Sequence, residues 1–329
     1  PEVARLRTEV VRREDAREWL ARDLKLPEYA ADLLVRYVRA GETALGAVPT
    51  QETLIAERFF DEAGGMQLVI HSPFGARINR AWGHSLRKSF CRTFDFELQA
   101  AASDDGILLS LSEQHSFPLM DIFDFVSPKS AERVLTQAVL QAPMFGTRFR
   151  WAAGRALALS RLSGGKKVPP PIQRARAEDL IAAVFPEQVG CQDNHGGMEL
   201  EPPDHPLVNE TMKDCMRDLM DVDGLVSVLE RMKRGEIRKL AVDLPEPSVF
   251  AHAMLNSAPY TFLDDAPLEE RRARSVSVRR GLPASDAVAF GALDQAAIDQ
   301  VVSEAAPDFR DAEEFHDTLL QLGVLPPLP

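Results

Sequence analysis

Apolar residues recur at helical spacing in the first part of the chain and give way to strand-like runs near residue 50. Residues 1–45 read as helical: Glu14–Leu26 is a charged amphipathic stretch, and Pro27 suits the first position of a helix reaching about Arg39. Apolar runs predict strands at Thr53–Phe60 and Met66–His71, the second set between Gly64-Gly65 and Pro73-Phe74-Gly75. Over Arg77–Arg92, Ile78, Trp82, Leu86 and Phe90 recur every fourth residue, which predicts a helix with one apolar stripe. Two more strands, Phe94–Ala101 and Ile107–Leu111, meet at Asp104-Asp105-Gly106, a hairpin signal.

Helical patterns dominate from there. Pro128–Ala142 and Thr147–Leu162 are expected helices around Ala-Pro-Met-Phe-Gly, followed by a Ser163–Pro171 loop and a helix from Pro171 to Phe185. A polar loop over Glu187–Pro206 precedes helices at about 207–219 and 222–234, a strand at Arg238–Leu244 and helices at about 247–256 and 267–278. Gly281–Ser285 reads as a linker, and Asp294–Leu325 as the start of another helical module. The expected class is α+β and helix-rich: a helical segment at 1–48, a small mixed α/β unit with a β-hairpin at 49–115, a multi-helix region at 116–280, and a linker with a further module at 281–329.

Charge changes this picture. The chain carries a net charge of −12, yet residues 74–176 hold 15 basic and 8 acidic side chains, and Arg133–Ala177 holds nine Lys or Arg with no Asp or Glu. Screening limits the reach of distant acids to roughly 10 Å, so a central basic surface on an acidic body can still bind a polyanion. The plainer alternative is a set of scattered solvated arginines. No apolar run is long enough to span a bilayer. The three scattered cysteines suggest a reducing cytoplasm, and a start without Met suggests a piece of a longer protein.

Catalytic chemistry is hard to place. Gly164-Gly165-Lys166-Lys167 lacks the first glycine and the hydroxyl residue of a phosphate loop and follows a helix, and no DExH box is present, so no ATPase is expected within this chain. Cys191, Asp193, His195, Asp204 and His205 lie in a broken polar loop without metal-ligand spacing. Asp264-Asp265, before Ala-Pro-Leu-Glu-Glu, reads as a helix cap rather than a carboxylate pair.

Nucleic-acid contacts are easier to place. Arg77, Arg80, His84, Arg87 and Lys88 fall opposite the apolar stripe, and the Ser-Pro-Phe-Gly turn ahead of them offers amides at a helix start. Arg148, Arg150, Arg155 and Arg161 interleave with Phe149 and Trp151, a composition that suits base stacking beside phosphate contacts. For both Trp82 and Trp151, burial on an apolar stripe is the competing reading.

The strings ERFFDE (57–62), QLVIHSPFGARINRAWG (67–83), FELQAAASDDGI (96–107), APMFGTRFRW (142–151), RALAL (155–159), GGKKVPPPIQR (164–174), DHPLV (204–208) and APYTFLDDAPLEERR (258–272) resemble the DEAD/H-associated region of bacterial Lhr (large helicase-related) superfamily 2 helicases. The resemblance, dense over about 50–280, implies the fourth module of a helicase core, after two RecA-like domains and a winged helix. Residues 1–48 would then end the winged-helix section, and the tail after 281 would open a C-terminal winged-helix array. It further implies a parent that uses ATP and Mg to move 3′ to 5′ on single-stranded DNA and unwinds duplexes, including RNA–DNA hybrids, in repair. The parent would be cytoplasmic, bacterial and nucleoid-associated. In such a module one aromatic residue stacks on a base, a role the resemblance assigns to Trp82 over Trp151. The expected DNA-binding set is Trp82, Arg77, Arg80, Arg87, Lys88, Arg148, Arg150, Trp151, Lys166, Lys167 and Arg174, with no catalytic residue, no metal and no membrane contact. The alternatives are a structural brace for the motor domains without direct DNA contact and, because the far C-terminal array has been linked to it, a DNA glycosylase.

Overall fold

In the computed structural model residues 2–60, 65–94, 98–111, 117–190, 199–255 and 311–322 are described. The chain forms two units, Pro1–Arg279 and Arg280–Pro329. In the first unit, helices α1 (Glu2–Arg12), α2 (Ala16–Asp23) and α3 (Glu28–Leu45) pack around Val10, Trp19, Leu20, Val35 and Val38. Pro27 stands just before α3, and Gly46, at φ 74°, closes that helix by donating its amide to the Glu42 carbonyl.

Strands β1 (Thr53–Phe60) and β2 (Met66–His71) lead to α4 (Ala76–Phe94), β3 (Leu98–Ala102) and β4 (Gly106–Leu111). A 3₁₀ turn over Leu119–Asp124 precedes α5 (Ala131–Gln141) and α6 (Pro143–Arg155). A two-stranded ribbon follows, β5 (Leu162–Ser163) with β6 (Lys166–Lys167). Then come α7 (Pro170–Val184), α8 (Pro186–Gly190), α9 (Pro206–Lys213), a π-helical turn over Asp214–Leu219, α10 (Val222–Lys233), β7 (Arg238–Asp243) and α11 (Val249–Leu255). The second unit's described residues form a helix over Ala312–Leu322. The expected helix at 267–278, the Asp264-Asp265 cap and the Gly281–Ser285 linker lie outside the described residues.

The sheet has the order β3-β4-β2-β1-β7, with β7 parallel to β1 and the other pairs antiparallel. This α+β, helix-rich architecture takes its last strand from the helical region far along the chain. Alternation sorts the sheet residues. Leu54, Ala56, Leu68, Ile70, Leu109 and Ala100 face the main core under α4, while Phe59, Val69, Ala101 and Leu108 meet Ala251 and Met254 of α11. Both faces are therefore covered, and burial along β2 is continuous rather than alternating.

Several boundaries differ from the pattern-based expectation. Helix α4 runs to Phe94, where a strand was expected. The Pro-Met-Phe-Gly segment is the first turn of α6, with Pro143 at its start, rather than a loop. Beyond Arg155 the helix stops: Leu157 takes a left-handed conformation at φ 60°, and the expected Ser163–Pro171 loop begins as the β5–β6 ribbon. Gly164 and Gly165, at φ 57° and 76°, supply the positive φ at both central positions of its two-residue turn.

Candidate nucleic-acid interface

Two helices were expected to carry the DNA contacts, and the structure treats them differently. On α4, Trp82, Leu86 and Phe90 are fully buried, as the stripe predicts. The opposite side is only partly open to solvent, with Arg77 exposed and Arg80, Arg87 and Lys88 half-buried, because α4 lies between β3 and β4 on one side and α5 and α10 on the other. Trp82 is 0% exposed, sits in the main core with Phe123 at a ring-centroid distance of 6.5 Å, and its indole N–H has no hydrogen-bond partner among the described residues. A ring so enclosed offers no open face in this structure, and the expected stacking role of Trp82 finds no support in its geometry.

Its neighbours on α4 are largely occupied within the fold. Arg77 donates to the backbone carbonyls of Arg217 and Met220, so it caps the π-helical turn. Lys88 Nζ lies 2.5 Å from Gln141 Oε1, and burial pulls its ammonium below the ordinary lysine range. The anion-friendly amides expected at the start of α4 are taken as well: Ala76 N–H donates to the Asp104 carboxylate at 2.9 Å and Gly75 N–H to its carbonyl. Arg80 and Arg87 are half-buried beside His84.

His84 has both ring nitrogens buried and without a partner among the described residues, and burial, with Arg87 and Arg80 nearby, holds its pKa down to about 3. The unfolded chain takes up this proton near pH 6.5, whereas the folded chain does so only near 3. Neutral His84 therefore gives its full stability above 6.5, and that stability falls by up to about 1.4 kcal/mol per pH unit as the pH drops below it. Urea titrations at pH 7 and pH 5.5 check this, and His84→Leu is expected to flatten the difference.

On α6 and α7 the candidate side chains are more open: Trp151, Arg174 and Arg176 are exposed, and Arg148 and Arg150 are half-buried. These helices pack against each other across the ribbon and enclose a groove of two adjoining clefts. The outer one, about 280 Å³, is lined by Arg150, Trp151, Arg161, Arg174 and Arg176 among others. The inner one, about 460 Å³, shares Arg150 and Arg174 with it. Trp151 is 46% exposed, and the Arg148 guanidinium lies 4.8 Å from its ring centroid, covering one side of the indole.

The acid-free run between Arg133 and Ala177 sorts into two groups. Arg133 pairs with Glu199, and Arg155 lies 2.5 Å from Asp214 and is held by it. Arg150, Arg161, Lys166, Lys167, Arg174 and Arg176 have no ionic partner among the described residues. Lys166 and Lys167 sit exposed on β6, and Gln173 ties the ribbon to α7 by donating to the Val168 carbonyl at 2.7 Å. Arg176 was missed by sequence reasoning, and Arg161, read among the arginines interleaved with the aromatics, was left out of the expected set, although the same acid-free run contains both.

Outside the groove, the residues weighed as metal ligands have other tasks where they are described. Asp204 accepts from Asn209, and His205 Nδ1 accepts from the Leu207 amide as the cap of α9. Cys191, Asp193 and His195 lie outside the described residues. Burial pushes the Cys215 thiol up to about 12, so it is inert as a nucleophile. Among the described residues no helix is long and apolar enough to cross a membrane.

Sequence comparison finds the DEAD/H associated family, whose model matches residues 48–251. The chain is 31% identical over 253 residues to the Lhr helicase/probable uracil glycosylase of Mycolicibacterium smegmatis, covering 76% of the chain and 16% of that protein. It is also 31% identical over 238 residues to the Lhr helicase/uracil glycosylase of Escherichia coli, covering 71% of the chain and 14% of that protein. Among solved structures, Mycobacterium smegmatis helicase Lhr bound to ssDNA and AMP-PNP matches with a TM-score of 0.65 and 28% identity, over 77% of the chain and 30% of that one. The chain thus spans less than a third of the length of each of these relatives. It belongs to the DEAD/H associated family, and over that region it is similar to Lhr helicases.

Proposed function

We propose that this module is a DNA-binding accessory region of an ATP-dependent, 3′-to-5′ helicase or translocase acting in DNA repair in the bacterial cytoplasm, and that it helps enclose the single strand being tracked. The observation that carries the reading is the α6–α7 groove, where Arg150, Arg161, Arg174 and Arg176 lack ionic partners among the described residues and line one cleft with the half-exposed Trp151. Guanidinium groups hold phosphates while an open indole face accepts a base, without sequence preference. Lys166 and Lys167 on the neighbouring ribbon extend the basic surface. In the same reading RecA-like domains of the parent hold ATP and Mg, residues 1–48 end the winged-helix section, and an RNA–DNA hybrid is a further substrate.

The brace alternative has its own support in α4, where Trp82 is buried in the core and Arg77 and Lys88 donate to groups of the fold itself. It accounts for α4 and leaves the unpaired cations of the groove unexplained.

Fluorescence anisotropy with a labelled oligothymidylate tests the proposal. Four phosphate contacts to a single strand give a slope of log K against log salt of about −3, so Kd should rise about 50-fold between 50 and 200 mM salt. Trp151→Ala should weaken binding by about 1–3 kcal/mol with little change in melting temperature. Absence of binding at 50 mM salt would favour the brace.

A further inference from the structure

The inner cleft of the groove has features that phosphate contacts alone do not require. Its walls are built from small residues: Ala142, Gly146 and Thr147 on the α6 side and Ala177 on α7, with Ile181 behind them. A Cβ added at Gly146 would meet nothing within 4 Å, so the helix surface there faces open space. Gln188, also in the lining, is 9% exposed, and its Nε2 donates to the Leu140 carbonyl at 3.2 Å. Its Oε1 has no donor among the described residues.

A space of about 460 Å³ falls within the range of small-molecule clefts, roughly 300–1,000 Å³. Its mouth is flanked by Arg150 and Arg174, which also line the outer cleft beside Trp151. A strand held by those two arginines would have one base beside the indole and a neighbouring base at the inner cleft. There the lining combines apolar surface from Ala142, Pro143, Ala177 and Ile181 with a few polar groups, the Gln188 amide, the Thr147 hydroxyl and the Glu178 carboxylate. This is the arrangement that receives an unstacked base: apolar surfaces for its faces and a few fixed polar groups for its edge.

We propose that the cleft between α6 and α7 is a nucleobase pocket, taking one unstacked base of the bound strand while Arg150 and Arg174 hold its flanking phosphates. The proposal rests on the single-strand reading above. It adds a site at which the module grips a base as well as the backbone.

The test uses the 329-residue chain with a 16-nucleotide oligothymidylate carrying a central 2-aminopurine, and the variant Gly146→Leu. Leucine at this helical position imposes no backbone strain and fills the cleft, and an unchanged or raised melting temperature verifies the fold. Wild type is expected to raise 2-aminopurine fluorescence severalfold on binding. Gly146→Leu should abolish the rise and increase Kd about tenfold, with the salt slope unchanged. A strand of abasic sugar-phosphate units should bind both proteins equally. Two outcomes overturn the pocket and leave strand binding standing: wild-type affinity and fluorescence in Gly146→Leu, or equal weakening of the abasic and base-bearing strands. If wild type binds no strand at low salt, the single-strand reading itself fails and the pocket falls with it.

Discussion

Trp82→Ala is expected to destabilise the fold by about 3–5 kcal/mol, measured by urea denaturation, while molecules that remain folded bind oligothymidylate as wild type does. The indole is fully buried in the main core with Leu86, Phe90 and Phe123, so truncation opens a cavity that the sheet on one side and α5 on the other cannot fill. Trp82→Phe is expected to lose much less. It leaves a smaller void and removes the buried N–H that has no partner, a group that itself opposes folding. The opposite result, near-native stability with lost DNA affinity, would return the stacking role to Trp82 and show that its ring becomes accessible when DNA binds. For Trp151→Ala the expectation is reversed, because that ring is nearly half exposed and packs against Arg148 rather than in the core.

These two tryptophans show what the sequence makes legible. Periodicity found α4 and its apolar stripe, since Trp82, Leu86 and Phe90 are all buried. It could not show that the opposite side is covered too, because a helical wheel carries no information about a second layer. Ala81, Gly83, His84 and Ser85 are buried along with the stripe, and a cationic side that looks solvated on the wheel is partly enclosed. The similarity of the string around Trp82 to the Lhr family drew the stacking role there, whereas burial places the open ring at Trp151. The basic groove was half legible. A stretch from Arg133 to Ala177 without an acid announced the charge, but the clefts arise from α6 and α7 packing across a ribbon whose strands are two residues each. Strands that short leave no alternation to read, so the segment looked like a loop. Strand β7 was legible as a strand, while its parallel place beside β1, about 180 residues earlier, is a tertiary matter.

Glu57→Ala is expected to destabilise the module by about 3–5 kcal/mol, because it leaves several buried donors without an acceptor. Glu57 is 0% exposed on β1. As a carboxylate its two oxygens accept from the Ser248 amide at 2.6 Å, the Ser248 hydroxyl at 2.7 Å and His71 Nε2 at 2.7 Å. The Ser248 hydroxyl in turn accepts from the Ala251 amide at 3.2 Å. The serine donates to the carboxylate and not to the histidine, so this Glu-His-Ser group is a structural latch rather than a nucleophile with its base. It pins the start of α11 to β1 and β2, at the far end of the family match from Val48. Sequence reading passed over it because β1 is buried on both faces, which removes the alternation that marks an inward carboxylate. Glu57→Gln keeps an oxygen for the Ser248 amide and is expected to lose only about 1–2 kcal/mol. A double-mutant cycle of Glu57→Ala with Ser248→Ala should return a coupling energy of about 1–3 kcal/mol by urea denaturation. Additive losses would mean that α11 is held by Phe250 and its contacts with Tyr37 and Arg7, with the latch contributing little.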